Sequence, residues 1–218
     1  MPQSATGTVP FNPRFSAVHT DYSNNHIATG AFSAADLAFQ SGAVVVNGQG
    51  EVLLLEDTKT GRIELPRSGL PATFDIVVKS PLKFVEEKTG LVVERHPLLK
   101  PTRRYYDPGV GKWGLLEQEL QFSDRTTTNA FSVGLDVIYI RRPEFPDSRQ
   151  SITSWYSGLV RDHPPSGFTH NGVRLHFMTV EQAIQAVQDS SHDHVGAAAL
   201  TLFDALMEAT QERMAEQA

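Results

Sequence analysis

The chain has 218 residues, of which 19 are basic and 25 acidic, so its formal net charge is −6, and 40% of its residues are hydrophobic. A chain of this size buries a hydrophobic core without covalent staples, and we expect one domain. It contains no cysteine, which excludes disulfides, cysteine zinc clusters and a thiol nucleophile. The mild acidity argues against nucleic acid as a partner. No apolar run reaches the roughly 18 residues of a membrane span, and the polar start lacks a signal-peptide core, so we expect a cytoplasmic protein.

Residues 1–35 differ in character from the rest of the chain. They mix Ser, Thr, Asn, Pro and Gly with isolated aromatic residues and show no period. Such a composition does not bury enough apolar surface to form a core of its own. We therefore expect an N-terminal extension, flexible in part, that packs on or near a domain of residues 36–218.

The middle of the chain has the pattern of short strands. Two apolar runs rich in strand formers, residues 42–46 and 51–55, flank Asn47-Gly48-Gln49-Gly50, a sequence that favours a tight hairpin turn. Further candidate strands are found at residues 63–65, 91–95, 114–122, 133–141 and 152–160.

Two helices are predicted at the C-terminal end. Thr179 and Gln182 have the spacing of a capping box, in which the two side chains each satisfy a backbone N–H. Residues 195–214 carry apolar side chains at helical spacing. Ser191 or Asp193 is a candidate N-cap for this second helix. We prefer this interpretation to a metal site at the neighbouring His192 and His194. Strands followed by helices indicate an α+β or α/β fold with a mixed sheet.

Gly69, Gly90 and Leu91 carry a resemblance to a known signature. They fit the first and the last two positions of G-x5-E-x7-R-E-U-x-E-E-x-G-U, where U is a bulky aliphatic residue, without an insertion. Residues 69–91 therefore resemble the box of the Nudix hydrolase superfamily. The resemblance implies a Nudix-like α/β/α sandwich with a mixed β-sheet over about residues 40–215.

The register of this box changes its chemistry. Asp75 and Lys83 take the positions of the glutamate and arginine that, in the family, mainly brace the loop against the helix. The helix positions i, i+3 and i+4, where the family has glutamates that bind Mg²⁺ or Mn²⁺, hold Phe84, Glu87 and Lys88. This trio is formally neutral, and an ammonium repels a divalent cation. We therefore predict no metal and no other cofactor here.

The helix of the box is predicted to be short. Residues 76–78 are β-branched, and a proline inside a helix costs about 3 kcal/mol. A helix with Ser80 as its N-cap and Pro81 at its first position avoids that cost.

Further candidate site residues lie outside the box. His176 is a candidate general acid or base, and Glu117 and Glu119 alternate along one predicted strand, so they face the same side as candidate catalytic acids. The candidates for substrate binding are guanidinium groups and aromatic rings, namely Phe84, Arg104, Arg141, Trp113, Trp155 and Tyr156. Each has a structural alternative. The histidine could be a hydrogen-bonded structural residue, the acids and arginines could lie on a solvated strand face, and the aromatic side chains could belong to the core.

The neutral trio favours a Nudix-like enzyme that no longer hydrolyses diphosphates with a metal. Lys88, with Glu87 beside it, would polarise an oxygen of an apolar or anionic small molecule, and isomerisation or cyclisation in secondary metabolism are the reaction types to try. One alternative is a hydrolase of a nucleoside or prenyl diphosphate, with Mg²⁺ in a site rebuilt from Asp75, Glu87 and Glu117 or Glu119. Another is a non-catalytic Nudix-like binding protein. The oligomeric state stays open, with a homodimer among the alternatives.

Overall fold

The computed structural model describes residues 37–69, 81–106, 117–142, 145–161 and 167–217. The predicted N-terminal extension lies outside these residues, as do Asp75, Ser80 and Trp113. The chain divides into two compact units, one of Met1–Ala31 and Arg104–Glu119, the other of Phe32–Arg103 and Leu120–Ala218. The sheet, helices and sites below belong to the second unit unless stated otherwise. None of the described helices is long and apolar enough to cross a membrane.

The described residues form eleven strands and three helices. The strands are β1 (Leu37–Val46), β2 (Val52–Asp57), β3 (Ile63–Glu64), β4 (Arg67–Gly69), β5 (Val93–Arg95), β6 (Leu98–Tyr106), β7 (Glu117–Thr127), β8 (Ser132–Arg142), β9 (Phe145–Val160), β10 (Thr169–His170) and β11 (Val173–Met178). The helices are α1 (Lys83–Thr89), α2 (Val180–Ser191) and α3 (His194–Gln217).

Nine of the described strands form one mixed sheet. Six follow the order β10-β11-β2-β1-β9-β5, while β3, β4 and β8 pair with β2, β1 and β9. The central strands β1 and β9 run parallel, from the pair Leu37 and Gln150 to the pair Val46 and Leu159. The neighbours β2, β4, β5 and β8 are antiparallel to them. Strands β6 and β7 pair with each other in a separate two-stranded sheet.

The hairpin of β1 and β2 forms at the predicted turn. The side-chain oxygen of Asn47 accepts the N–H groups of Gln49 and Glu51 at 3.0 and 2.9 Å. Gly50 has a φ of +80°, a conformation that glycine adopts without a steric penalty. Local residue chemistry therefore accounts for this turn and confirms its prediction.

Helices pack on both faces of the sheet. Successive residues of a strand point to opposite faces, so Ala43 and Val45 of β1 lie in one buried cluster and Val44 and Val46 in another. The first cluster includes Val85 of α1, and the second includes residues of α2 and α3. We call these two sides of the sheet the α1 face and the α2–α3 face. The predicted α/β/α sandwich with a mixed sheet is therefore confirmed.

The two C-terminal helices begin at predicted caps. The Thr179 hydroxyl accepts the N–H of Gln182, and the Gln182 side chain accepts the N–H of Thr179, which completes the capping box of α2. At the start of α3, Asp193 Oδ1 accepts the N–H of Gly196 at 2.8 Å. Of the two candidate caps for α3, Asp193 is therefore the one that caps.

The predicted start of α1 is wrong, although the helix is short, with seven residues. It begins at Lys83, because Pro81 and Leu82 form a turn that is anchored to the sheet. The Pro81 carbonyl accepts the hydroxyl of Ser41 at 3.2 Å, and Leu82 is buried. This anchoring of the turn by the sheet outweighs the preference of proline for a first helical position.

Trp155 fills the core on the α2–α3 face and is fully buried. Its partner on β1 is Gly42. A Cβ at Gly42 would lie 2.5 Å from Cε3 of Trp155 and 2.8 Å from Cγ2 of Thr153. The absence of a side chain at residue 42 therefore makes room for the indole ring.

We expect Gly42→Ala to lower the free energy of unfolding by about 1–3 kcal/mol, because the added methyl must displace a buried ring. Urea unfolding followed by tryptophan fluorescence measures the loss. Gly48→Ala is the matched control, since a Cβ at Gly48 meets nothing within 4 Å. Equal losses in the two variants would contradict this account of the core.

Candidate functional site

The candidate site is the outward surface of α1, the helix of the box. Val85 is fully buried and fixes α1 to the sheet, while Phe84 is half-buried and packs against the same cluster. Gly90 ends the helix with a φ of +73°, and its N–H donates to the carbonyl of Glu86 at 2.8 Å. A left-handed residue at this position favours glycine. The last glycine of the box is therefore explained by the end of the helix.

Lys88 is anchored to the neighbouring strand β4. Lys88 is half-buried, and its ammonium donates to the main-chain carbonyl of Arg67 at 2.6 Å. Hydrogen bonds with a charged donor are short and about twice as strong as neutral ones. Because an ammonium has three N–H donors, Lys88 has two left for a substrate oxygen or for water.

The two acids of α1 are in different situations. Glu86 accepts the N–H of Val93 at 3.1 Å, so its carboxylate holds the start of β5. Glu87 is exposed, and only its main-chain carbonyl has a described bond, from the side-chain amide of Asn171 at 3.3 Å. The Glu87 carboxylate is therefore the one acid of α1 that is presented to solvent.

A divalent cation does not fit the donor set of α1. Mg²⁺ requires several oxygen ligands in a compact arrangement, and of the three box positions only Glu87 supplies a carboxylate. Within the described parts of the chain, no three His, Asp or Glu side chains are grouped so that they could hold a metal ion. Residues 70–80 of the box are not among those parts, so the absence of a cofactor stays a prediction.

Three neighbouring strands expose apolar side chains on the α1 face. Phe39 of β1 pairs with Ile152 of β9, and Ile152 pairs with Leu135 of β8. Val133 lies two residues before Leu135 and so points the same way. Ser41, two residues after Phe39, bonds to the turn before α1 and fixes this side as the α1 face. We call these four residues the apolar stripe; Phe39, Leu135 and Val133 are 47%, 57% and 66% exposed.

Two predicted substrate-binding residues of β9 point to opposite faces. Tyr156 is half-buried against the α1-face core, and burial raises the pKa of its phenol, although the nearby Arg95 opposes this. The phenol is therefore neutral at physiological pH. Trp155 is fully buried in the opposite core and has no exposed surface for a substrate, so its structural alternative describes it better.

His176 belongs to a separate cluster on the α2–α3 face. Its neighbour Leu175 lies in the α1-face core, so the imidazole points to the other side. Nε2 of His176 is 2.6 Å from Oε2 of Glu56, and Arg174 donates to both oxygens of the same carboxylate at 3.2 and 3.3 Å. The hydrogen bond with His176 is the main cause of a lowered pKa at Glu56. The structure therefore does not bring His176 together with Lys88.

Sequence reasoning missed a buried ion pair between Arg67 of β4 and Asp193. The two side chains are in direct contact and are 19% and 6% exposed. The guanidinium also lies 4.8 Å from the ring centroid of Trp155, in cation–π contact, and burial lowers the pKa of Arg67. The signal in the sequence was a lone arginine directly after Leu65 and Pro66, which are both buried.

Four further predicted residues lie on described strands, but their side chains are outside the description: Arg104 on β6, Glu117 and Glu119 on β7, and Arg141 on β8. The first three of them belong to the first compact unit. Their roles therefore stay predictions. The same holds for Trp113, which is outside the described residues.

Solved structures of known proteins are similar to this chain in fold. A NUDIX hydrolase from Nitrosomonas europaea has a TM-score of 0.44 and 14% identity, and the match covers 77% of this chain and 88% of that chain. Two structures of a C. elegans Ap4A hydrolase have TM-scores of 0.45 and 0.41 at 12% identity, covering 79% and 78% of this chain and 98% of theirs. No family model and no curated protein matches the chain.

We expect His176→Phe to raise the pKa of Glu56 towards its ordinary value of 4.5, because the hydrogen bond that lowers it most is lost. Arg174→Met should raise it less, since Arg174 is a smaller cause. NMR titration of the labelled carboxyl carbon measures both changes.

The same pair makes stability depend on pH. A carboxyl with a lower pKa in the folded state stabilises the fold above its unfolded pKa, and this contribution is lost as the pH falls through the folded value. The stability deficit of His176→Phe should therefore be present above about pH 4.5 and shrink below it. An unchanged Glu56 pKa in this variant would contradict the assignment.

Proposed function

We propose that this chain is a Nudix-like enzyme that acts on an apolar or anionic small molecule at α1, without a divalent metal on that helix. The observation that carries the proposal is the ammonium of Lys88, 2.6 Å from the Arg67 carbonyl, at a box position where the family has a metal-binding carboxylate. An anchored cation attracts a substrate oxygen and repels a metal ion. The box register and the α/β/α sandwich support the Nudix-like part.

Each polar or aromatic residue of α1 is proposed to have a different role in the reaction. Lys88 would donate a hydrogen bond to a carbonyl or carboxylate oxygen of the substrate and stabilise negative charge that develops there. Glu87 is the next residue and is exposed. Its carboxylate would take a proton from the carbon next to that carbonyl or carboxylate group and return it to another carbon of the substrate, so that the substrate is isomerised with no net change in protons. Phe84 and the apolar stripe offer apolar surface on the same face of the sheet for the rest of the substrate.

Finer parts of the proposal rest on the sequence. Isomerisation or cyclisation in secondary metabolism is the reaction class to assay first, and a cytoplasmic location belongs to the same hypothesis. In the second unit, Arg141 is proposed to bind an anionic group. In the first unit, Arg104 is proposed as a residue for an anionic group, and Glu117 and Glu119 as acids. The division into an extension of residues 1–35 and a domain of residues 36–218 is likewise proposed.

A panel of apolar carboxylic acids and ketones, screened by thermal shift, tests the binding step, because a ligand that binds only the folded state raises its stability. For compounds that bind, we expect Lys88→Met to weaken affinity by about 10- to 100-fold, the effect of losing a hydrogen bond to a charged group. Lys83→Met removes the same charge from an exposed position of the same helix and should change affinity little. Equal losses in the two variants would mean that Lys88 has no special contact.

Metal dependence separates this proposal from a diphosphate hydrolase. The protein is incubated with Mg²⁺ or Mn²⁺ and nucleoside or prenyl diphosphates, and phosphate release is followed. We expect no metal-dependent turnover, and robust turnover would refute the proposal. Absence of turnover on any substrate, with ligands that bind, would favour the non-catalytic alternative.

The double variant Phe84→Glu with Lys88→Glu tests the charge argument. It places three carboxylates at the box positions, so we expect Mn²⁺ binding by calorimetry in this variant and no Mn²⁺ binding at α1 in the natural chain. Lys83→Glu adds a carboxylate to the same helix outside these positions and serves as the control. Binding by the control alone would contradict the assigned register.

A further inference from the structure

Arg67 makes contacts on both faces of the sheet. Its main chain pairs with Gly42 of β1, and its carbonyl accepts the ammonium of Lys88 on the α1 face. Its guanidinium lies against Trp155 on the α2–α3 face and pairs with Asp193. The atom that holds Lys88 therefore belongs to a residue whose side chain is fixed on the opposite side.

Asp193 holds its end of the pair rigidly. One carboxylate oxygen caps α3 through the N–H of Gly196 at 2.8 Å, and the other contacts the Arg67 guanidinium. A Cβ at Gly196 would lie 2.2 Å from Oδ2 of Asp193 and 2.9 Å from Nη2 of Arg67. Residue 196 thus leaves just enough room for the ion pair at the first turn of α3.

Stability alone does not account for this pair. Replacing a buried ion pair with apolar residues of similar volume is often neutral or stabilising. Two more donors, Nε of Arg67 and Nε1 of Trp155, are buried without a hydrogen-bond partner among the described residues, and such groups cost about 1–3 kcal/mol each. An arrangement with these costs points to a role in geometry.

We propose that the Arg67–Asp193 pair positions Lys88, so that Arg67 and Asp193 are positioning residues for the reaction at α1. This inference rests on the proposed function. Strand β4 has only three residues and pairs with β1, so the anchored side chain adds a second constraint on the Arg67 carbonyl. With that carbonyl fixed, the ammonium of Lys88 is held at one place, and its two remaining donors point in a fixed direction.

Trace acetylation of lysines, quantified by mass spectrometry, tests the inference without any substrate. The readout is the rate at Lys88 divided by the rate at the exposed Lys83. In Asp193→Asn the cap is kept, because asparagine caps as well as aspartate, while the charge that holds Arg67 is lost. We expect the ratio to rise about tenfold as the ammonium is released from its hydrogen bond.

Three further variants complete the test. Gly196→Ala forces the pair apart without a change in charge and should raise the ratio in the same direction. Thr179→Ala is the control for a general loss of stability, because it removes the cap of α2 without a change at the ion pair. We expect it to leave the ratio of the two acetylation rates as it is in the natural chain. Arg67→Lys keeps the charge and is expected to give an intermediate ratio, because lysine lacks the planar fork of arginine.

The outcomes separate this inference from the proposed function. An unchanged ratio in folded Asp193→Asn and Gly196→Ala would overturn the positioning role, whatever ligands bind. If Asp193→Asn fails to fold, Gly196→Ala and Arg67→Lys decide by the same ratio. A raised ratio in a protein that binds no compound of the panel would support positioning and refute the function proposed for α1.

Discussion

Among the described residues, Arg67 connects the α1 face of the sheet with the α2–α3 face. Its guanidinium is fixed by Trp155 and Asp193, and its carbonyl holds Lys88 on the other side. Because protein interiors are densely packed and resist small displacements, a movement at the start of α3 would be transmitted to the face of α1. Trp155, which the Arg67 guanidinium contacts, is itself held in place by its packing against Gly42.

Local chemistry made much of the fold predictable. The turn at Asn47 and the capping box at Thr179 each depend on residues close together in the chain, and both form as expected. The start of α1 was not predictable in this way. It depends on a hydrogen bond between Ser41 and Pro81, which are 40 residues apart, and no local pattern contains that contact.

The candidate site was predictable in part for the same reason. Spacing along a helix places Glu87 and Lys88 on α1, as the structure shows. Alternation along a strand shows that Tyr156 and Trp155 face opposite ways, but it does not show which face carries α1. Which face carries α1 depends on packing between elements distant in the chain. The partner of Lys88 depends on the same packing, and because it is a main-chain carbonyl, the identity of the residue does not reveal it.

The parallel pairing of β1 with β9 also determines when this protein can fold. The side-chain bond between Gln40 and Thr153 joins residues 113 positions apart, so β1 is synthesised long before its central partner β9. At about 5–20 residues per second, that interval is roughly 6–23 seconds. Proteins dominated by such distant contacts fold slowly, and for this time the apolar residues of β1 lack their final neighbour.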